Sequence, residues 1–150
     1  VAGSEAERVA ANTYDLGEYL FKLRAEGNLD TSFVKPQGTI AYHLPCHLKS
    51  QNIGFRSRDL LSLLPGTKVE MIDRCSGVDG TWGMKREFHD MALKVADPLF
   101  EGIRAAAPDR VVTDCPLAGL QIARGTGMTP VHPVEVLRDA YGLQDEEKKP

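Results

Sequence analysis

No stretch of this chain carries the roughly 20 consecutive apolar residues that a membrane-spanning helix needs, so no transmembrane segment is expected. Charge of one sign is also missing. Eighteen basic and 21 acidic residues leave a net charge of −3, and the pI is near 5.8. That balance gives no basic footprint for nucleic acid. Cysteine is scarce: three in 150 residues. An odd, sparse set excludes the dense disulfide framework of a small secreted domain and fits a reducing, cytoplasmic setting. In such a setting a cysteine is a buried structural thiol, a metal or cluster ligand, or a redox or catalytic group. No initiator methionine precedes Val1 and no signal-peptide pattern follows it, which leads us to expect a piece of a longer protein.

What is present is ordinary for one globular domain with a real core: 42% hydrophobic and 26% charged residues over 150 positions. Residues 4–26 read as an amphipathic helix. Ser4 and Glu7 form a capping-box pattern, and Val9, Thr13, Leu16, Leu20 and Leu23 recur at helical spacing. A turn-rich linker leads to a strand at 39–43, then Pro45-Cys46-His47-Leu48. A helix is expected over 55–64 and a second strand over 68–72, followed by the glycine-rich stretch RCSGVDGTWG at 74–83. A long helix is expected over 85–106, with Phe88, Met91, Ala92, Val95, Leu99 and Ile103 on its buried face and a kink or break at Pro98. A third strand follows at 109–113, then Asp114-Cys115-Pro116 and a short helix over 117–124 that Gly125-Thr126-Gly127 stops. Residues 129–131 are a candidate fourth strand. Pro133–Tyr141 is a helix with proline at its favoured first position.

Strand and helix thus alternate, which predicts an α/β fold: an open, mostly parallel, doubly wound sheet with an extra N-terminal helix. The expected organisation is helix and linker over 1–38, the α/β domain over 39–142 and a charged tail over 143–150.

On that scheme each cysteine falls just past the carboxyl end of a strand: Cys46, Cys75 and Cys115. Those ends share one edge of an open α/β sheet, where ligands gather. Three thiols are therefore expected to converge, and thiolates are the ligands that iron–sulfur clusters and zinc favour. Gly77, Gly80 and Gly83 would let backbone approach and aim N–H groups at sulfur. Three thiolates are one short of the usual four. His43, His47, Ser76, Asp79 and His132 are candidates for the fourth ligand, or the position is open. Unrelated buried thiols, and thiol chemistry at Cys75, remain alternatives.

Four segments, YHLPCHL at 42–48, LLPGTKVEMIDRCSGVDGTWGMKREF at 63–88, VVTDCPLAGLQI at 111–122 and VHPVEVL at 131–137, carry a resemblance. In order and spacing they resemble the cysteine-rich (CCG) domain family, as it occurs in heterodisulfide reductase (in the subunit designated B). The likeness is greater to the domain in anaerobic glycerol-3-phosphate dehydrogenase (in the subunit designated C). The resemblance implies the same α/β fold and electron transfer through an iron–sulfur cluster, with 4Fe–4S as the expected type. It implies that Cys46, Cys75 and Cys115 are cluster ligands; Ser76 and Gly77, which follow Cys75, and His47, which follows Cys46, are expected beside the cluster from their own positions. Ser76 stands where the family has the second cysteine of Cys-Cys-Gly, and Ala118 where it has the second of Cys-x-x-Cys. A cluster that needs five thiolates is therefore not expected, and a zinc-holding or metal-free docking domain is the alternative. The implied partners are flavoprotein or quinone-linked oxidoreductase subunits, with a ferredoxin-like region or a second cysteine-rich copy preceding this segment. The implied location is the cytoplasm, at the inner face of the membrane through those partners. On this reading the chain is an oxidoreductase subunit, or part of one, without complete catalytic activity alone.

Overall fold

The computed structural model describes residues 3–143; positions 144–150 of the expected tail lie outside the described residues. Three parallel strands form the sheet in the order β2-β1-β3: β1 is Thr39–His43, β2 Lys68–Ile72 and β3 Arg110–Thr113. Register runs Thr39 to Lys68 on one side of β1 and Ile40 to Arg110 on the other. The candidate fourth strand is reduced to one parallel bridge, Val112 with Val131. The predicted α/β class therefore stands, with a small sheet.

Alternation along the strands sorts two apolar layers. Ile40, Tyr42 and Val112 face one way and pack with Leu61 and Leu64 and with Val136, Leu137 and Ala140 of α7 (Pro133–Ala140). Ala41 and Val111 face the other way, against Ala96, Leu99, Phe100 and Ile103 of α5 (His89–Ala105) and Ile122 of α6 (Pro116–Thr126). Helices cover both faces, as a doubly wound sheet requires. Burying such side chains is worth about 1.5–3 kcal/mol each before entropy is counted. Among the described residues no helix is long and apolar enough to cross a membrane.

Several local expectations are corrected. The N-terminal helix is two helices, α1 (Ser4–Ala11) and α2 (Leu16–Ala25). Asn12 and Thr13 turn their side chains back to the Arg8 and Val9 carbonyls. Asp15 then starts α2 in a capping box with Glu18. Ser4 is inside α1 rather than capping it: Gly3 is the cap position and no side chain bonds there. Nothing on α1 is buried, and Val9 is 67% exposed. Pro98 does not break α5, which runs through it. Lys94, whose carbonyl loses its i+4 partner there, is exposed, so water can take the bond. Met91 and Val95 are 58% and 44% exposed, so they are not on the buried face; Ala96 and Phe100 are. A short 3₁₀ turn, Arg86–Phe88, replaces the predicted start of this helix, and another, Trp82–Met84, precedes it.

Two more helices complete the chain: α3 (Cys46–Ser50), which the sequence pattern did not predict, and α4 (Arg56–Leu61). Gly127, at φ 75°, ends α6 in the left-handed conformation that glycine tolerates best.

Candidate functional site

In the order β2-β1-β3 the chain leaves β1 to build β2 on one side and returns to build β3 on the other. The carboxyl ends of β1 and β3 therefore flank the topological switch point, where a doubly wound sheet opens a crevice. A cavity of about 420 Å³ lies there. Its lining includes Cys46, Cys75 and Cys115, one from each strand end, together with Ser76, Gly77 and Ala118. Leu44, Pro45, Trp82 and Val95 give it apolar walls, and Lys49, Arg74 and Asp79 bring charge. All three cysteines are free; Cys46 and Cys75 are exposed and Cys115 is half-buried. Ser76 and Ala118, which stand where the resemblance noted in the sequence would put two further thiols, open on the same space. Among the described residues no three His, Cys, Asp or Glu side chains form a group that would hold one metal ion.

Each cysteine is placed by local structure. Cys46 is the first residue of α3, after Pro45. Cys115 caps α6: its sulfur accepts the Ala118 N–H at 3.5 Å, and Pro116 follows at the first helical position. Cys75 lies in the turn after β2, and the Gly77 N–H reaches its sulfur at 3.3 Å. That turn is wedged against α5. Gly77 has φ 73°, and a Cβ on it would stand 2.1 Å from the Ala92 carbonyl oxygen. A Cβ on Gly83 would stand 2.3 Å from the Gly77 carbonyl oxygen. Both glycines are therefore required by close backbone approach. Gly80 differs: its φ is 61°, but open space surrounds it.

Beneath the cysteines lies His43, the last residue of β1 and 3% exposed. Its Nε2 is 3.2 Å from the Arg74 carbonyl and its Nδ1 3.0 Å from Thr113 Oγ1. A carbonyl only accepts, so Nε2 carries the proton and Nδ1 takes the Thr113 hydroxyl proton. The same Thr113 oxygen accepts the Cys115 N–H at 3.3 Å. Burial pushes the imidazole pKa down to about 4, which keeps it neutral. Both ring nitrogens are used within the protein, so His43 is a satisfied structural histidine.

The remaining candidates separate. His47 is half-buried in α3 and is not among the cavity-lining residues. His132 caps α7: its ring accepts from the Val134 N–H at 3.2 Å, and Glu135 closes the capping box. Asp79 lines the cavity with φ 43°, a left-handed backbone unusual outside glycine. Trp82 also lines it and stacks on Phe88, with ring centroids 5.0 Å apart. Lys49 and Asp73 pair at the rim, joining α3 to the exit of β2.

Asp114, beside Cys115, is by its place in the sequence a candidate helix cap or proton acceptor, but Cys115 takes the cap position. Asp114 instead accepts from Tyr42 Oη and from Ser57 Oγ, each at 2.6 Å, partners that no sequence signal marked.

Comparison with known proteins follows the same lines. A family model described as "Cysteine-rich domain" (CCG) matches residues 40–123. Anaerobic glycerol-3-phosphate dehydrogenase of Escherichia coli (strain K12), in its subunit designated C, is 33% identical over 102 residues, 67% of this chain and 26% of that protein. The protein of the same name from Escherichia coli O157:H7 matches with the same figures. The chain spans about a quarter of the length of these curated relatives. No solved structure matches it.

Proposed function

The chain belongs to the cysteine-rich CCG domain family, and from that premise we propose that it is an electron-transfer module of a larger oxidoreductase, holding one iron–sulfur cluster through Cys46, Cys75 and Cys115. The observation that carries this reading is convergence: thiols from three separate strand ends line one cavity at the switch point of the sheet. A cluster distributes its cysteines over separate iron atoms. Thiols spread around a cavity suit it better than they suit a single ion. When bound, a cluster of the 4Fe–4S type would supply one-electron transfer.

The chain's own groups fit that task. The Gly77 and Ala118 N–H groups aim at the sulfurs of Cys75 and Cys115, and hydrogen bonds to sulfur are one way a protein sets a cluster's potential. Leu44, Trp82 and Val95 give the cavity apolar walls, and Arg74 brings positive charge to it, Lys49 being paired with Asp73. Three thiols leave one iron of a four-iron cluster to another ligand. The Ser76 hydroxyl, on the cavity lining, is the nearest in kind; His47 stands next to Cys46 in sequence.

The relatives are dehydrogenase subunits by name. The proposed partners are accordingly flavoprotein or quinone-linked oxidoreductase subunits, with a ferredoxin-like region or a second cysteine-rich copy elsewhere in the same polypeptide. Placement in the cytoplasm, at the inner face of the membrane through those partners, belongs to the same proposal. The second reading is a zinc-holding or metal-free docking domain. It is favoured by Ser76 and Ala118, which occupy the cavity where family thiols are expected.

Protein purified without oxygen should be brown. It should carry iron with acid-labile sulfide and give a spin signal on reduction. Cys46→Ser, Cys75→Ser and Cys115→Ser should each lower the iron content. Colourless protein that takes up no iron on anaerobic reconstitution would overturn the reading, and zinc uptake instead would establish the second.

A further inference from the structure

We propose that His43 is a positioning residue that fixes the segment of Cys75 relative to the segment of Cys115. The consequence for a bound cluster rests on the reading above; the positioning itself does not.

The geometry is a single imidazole spanning two loops. β1 is the central strand, and the loops that carry Cys75 and Cys115 leave the strands on either side of it. From the end of β1, His43 donates through Nε2 to the carbonyl of Arg74, the residue directly before Cys75. On the other side Nδ1 accepts from Thr113, two residues before Cys115. Thr113 passes the link on, because its oxygen accepts the Cys115 N–H. An unbroken chain of hydrogen bonds therefore runs from the backbone beside one cysteine to the backbone of the other. It crosses the sheet exit at the depth of the cavity floor, where His43 itself is part of the lining.

Strand pairing alone does not do this. The ladder ends at His43 with Ile72 and Thr113, and beyond those residues the chains diverge into turns. Each turn has its own internal bond, Gly77 N–H to Cys75 and Ala118 N–H to Cys115, but neither bond reaches the other turn. The rim pair Lys49–Asp73 connects a different two segments. It is about half exposed, where an ion pair contributes little. The His43–Thr113 bond is buried and the bonds to the Arg74 carbonyl and the Cys115 N–H are part-buried, so the link is less screened by solvent than the rim pair and holds geometry more firmly.

Two substitutions cut the link at different points. Thr113→Val keeps the shape and removes the hydroxyl; His43→Gln removes the ring that spans both partners. Thr113→Ser keeps the hydroxyl and should restore wild-type behaviour. Val136→Ala, in the apolar layer on the opposite face of the sheet, controls for a general loss of stability. The first readout uses reduced, metal-free protein and a short thiol-to-thiol cross-linker, dibromobimane. The Cys75–Cys115 bridge is scored by mass spectrometry. Its rate should change by about three- to tenfold in Thr113→Val and His43→Gln, the range that loss of one hydrogen bond gives. Thr113→Ser and Val136→Ala should match the wild type. The second readout is the electron paramagnetic resonance spectrum of reconstituted protein, whose g values should move in the same two variants only. Unchanged cross-linking in both Thr113→Val and His43→Gln would overturn the positioning role, even if iron binds. Changed cross-linking in a protein that takes up no iron would leave positioning intact and remove the cluster reading instead.

Discussion

Tyr42 and Asp114 meet at the carboxyl ends of β1 and β3, 72 residues apart in sequence, with the phenol donating to Oδ2 at 2.6 Å. Ser57 of α4 donates to the other carboxylate oxygen. The carboxylate thereby ties the central strand, its neighbour and the helix layer on one face of the sheet, directly beside Cys115. On the opposite face of β1, His43 makes the corresponding tie.

Tyr42→Phe should leave Asp114 with one of its two side-chain donors. A charge-assisted hydrogen bond of this kind is worth about 1.5–3 kcal/mol, and the loss should appear as a lower midpoint in urea denaturation. The phenol pKa is raised above its ordinary 10.0, first by burial and then by the Asp114 charge. A raised folded-state pKa means stability that is complete below pH 10 and lost as pH climbs beyond it. Wild-type protein should therefore weaken in alkali more steeply than Tyr42→Phe does.

His43 predicts the opposite branch. Its folded pKa of about 4 lies below the ordinary 6.5, with burial as the chief cause. The folded protein binds that proton less readily than the unfolded chain. Stability from this group is full above pH 6.5 and lost as pH falls towards 4. The drop should be on the order of 3 kcal/mol. Denaturant titrations of metal-free protein at falling pH should show it, and His43→Gln should flatten that part of the profile.

Gly77→Ala and Gly80→Ala should separate two costs of a positive φ. At Gly80 there is room, so only the left-handed conformation is penalised, by about 1–2 kcal/mol. At Gly77 the new methyl would meet the Ala92 carbonyl oxygen as well, and the turn must leave α5. Gly77→Ala should melt well below Gly80→Ala, and it should also raise the alkylation rate of Cys75.

Restoring the family thiols offers a gain of function. Ser76→Cys adds a fourth sulfur to the cavity lining at nearly equal volume, while Ala118→Cys adds bulk at a buried site. After anaerobic reconstitution Ser76→Cys should hold iron more tightly than the wild type against a chelator. Ala118→Cys should gain less, because overpacking costs about 1–3 kcal/mol. Equal iron retention in Ser76→Cys and wild type would mean that the fourth position is not beside residue 76.

The sequence by itself determined the elements whose causes are local. Strand and helix alternation, the proline start of α7 and the glycine stop of α6 follow from periodicity and backbone preferences that act over a few residues. The placement of Cys46, Cys75 and Cys115 just past three strand ends was legible for the same reason. Only the tertiary structure decided which residues serve those ends. His43 and His132 look alike in sequence, each at a strand end near a proline, yet one spans two loops and the other caps a helix. The split of the N-terminal helix turned on side chains that bond back to the main chain, and the exposure of Met91 and Val95 on the cover that neighbouring elements give α5. Register between parallel strands brings residues 31 to 73 positions apart within hydrogen-bond reach, and no pattern confined to a few neighbouring residues carries that information.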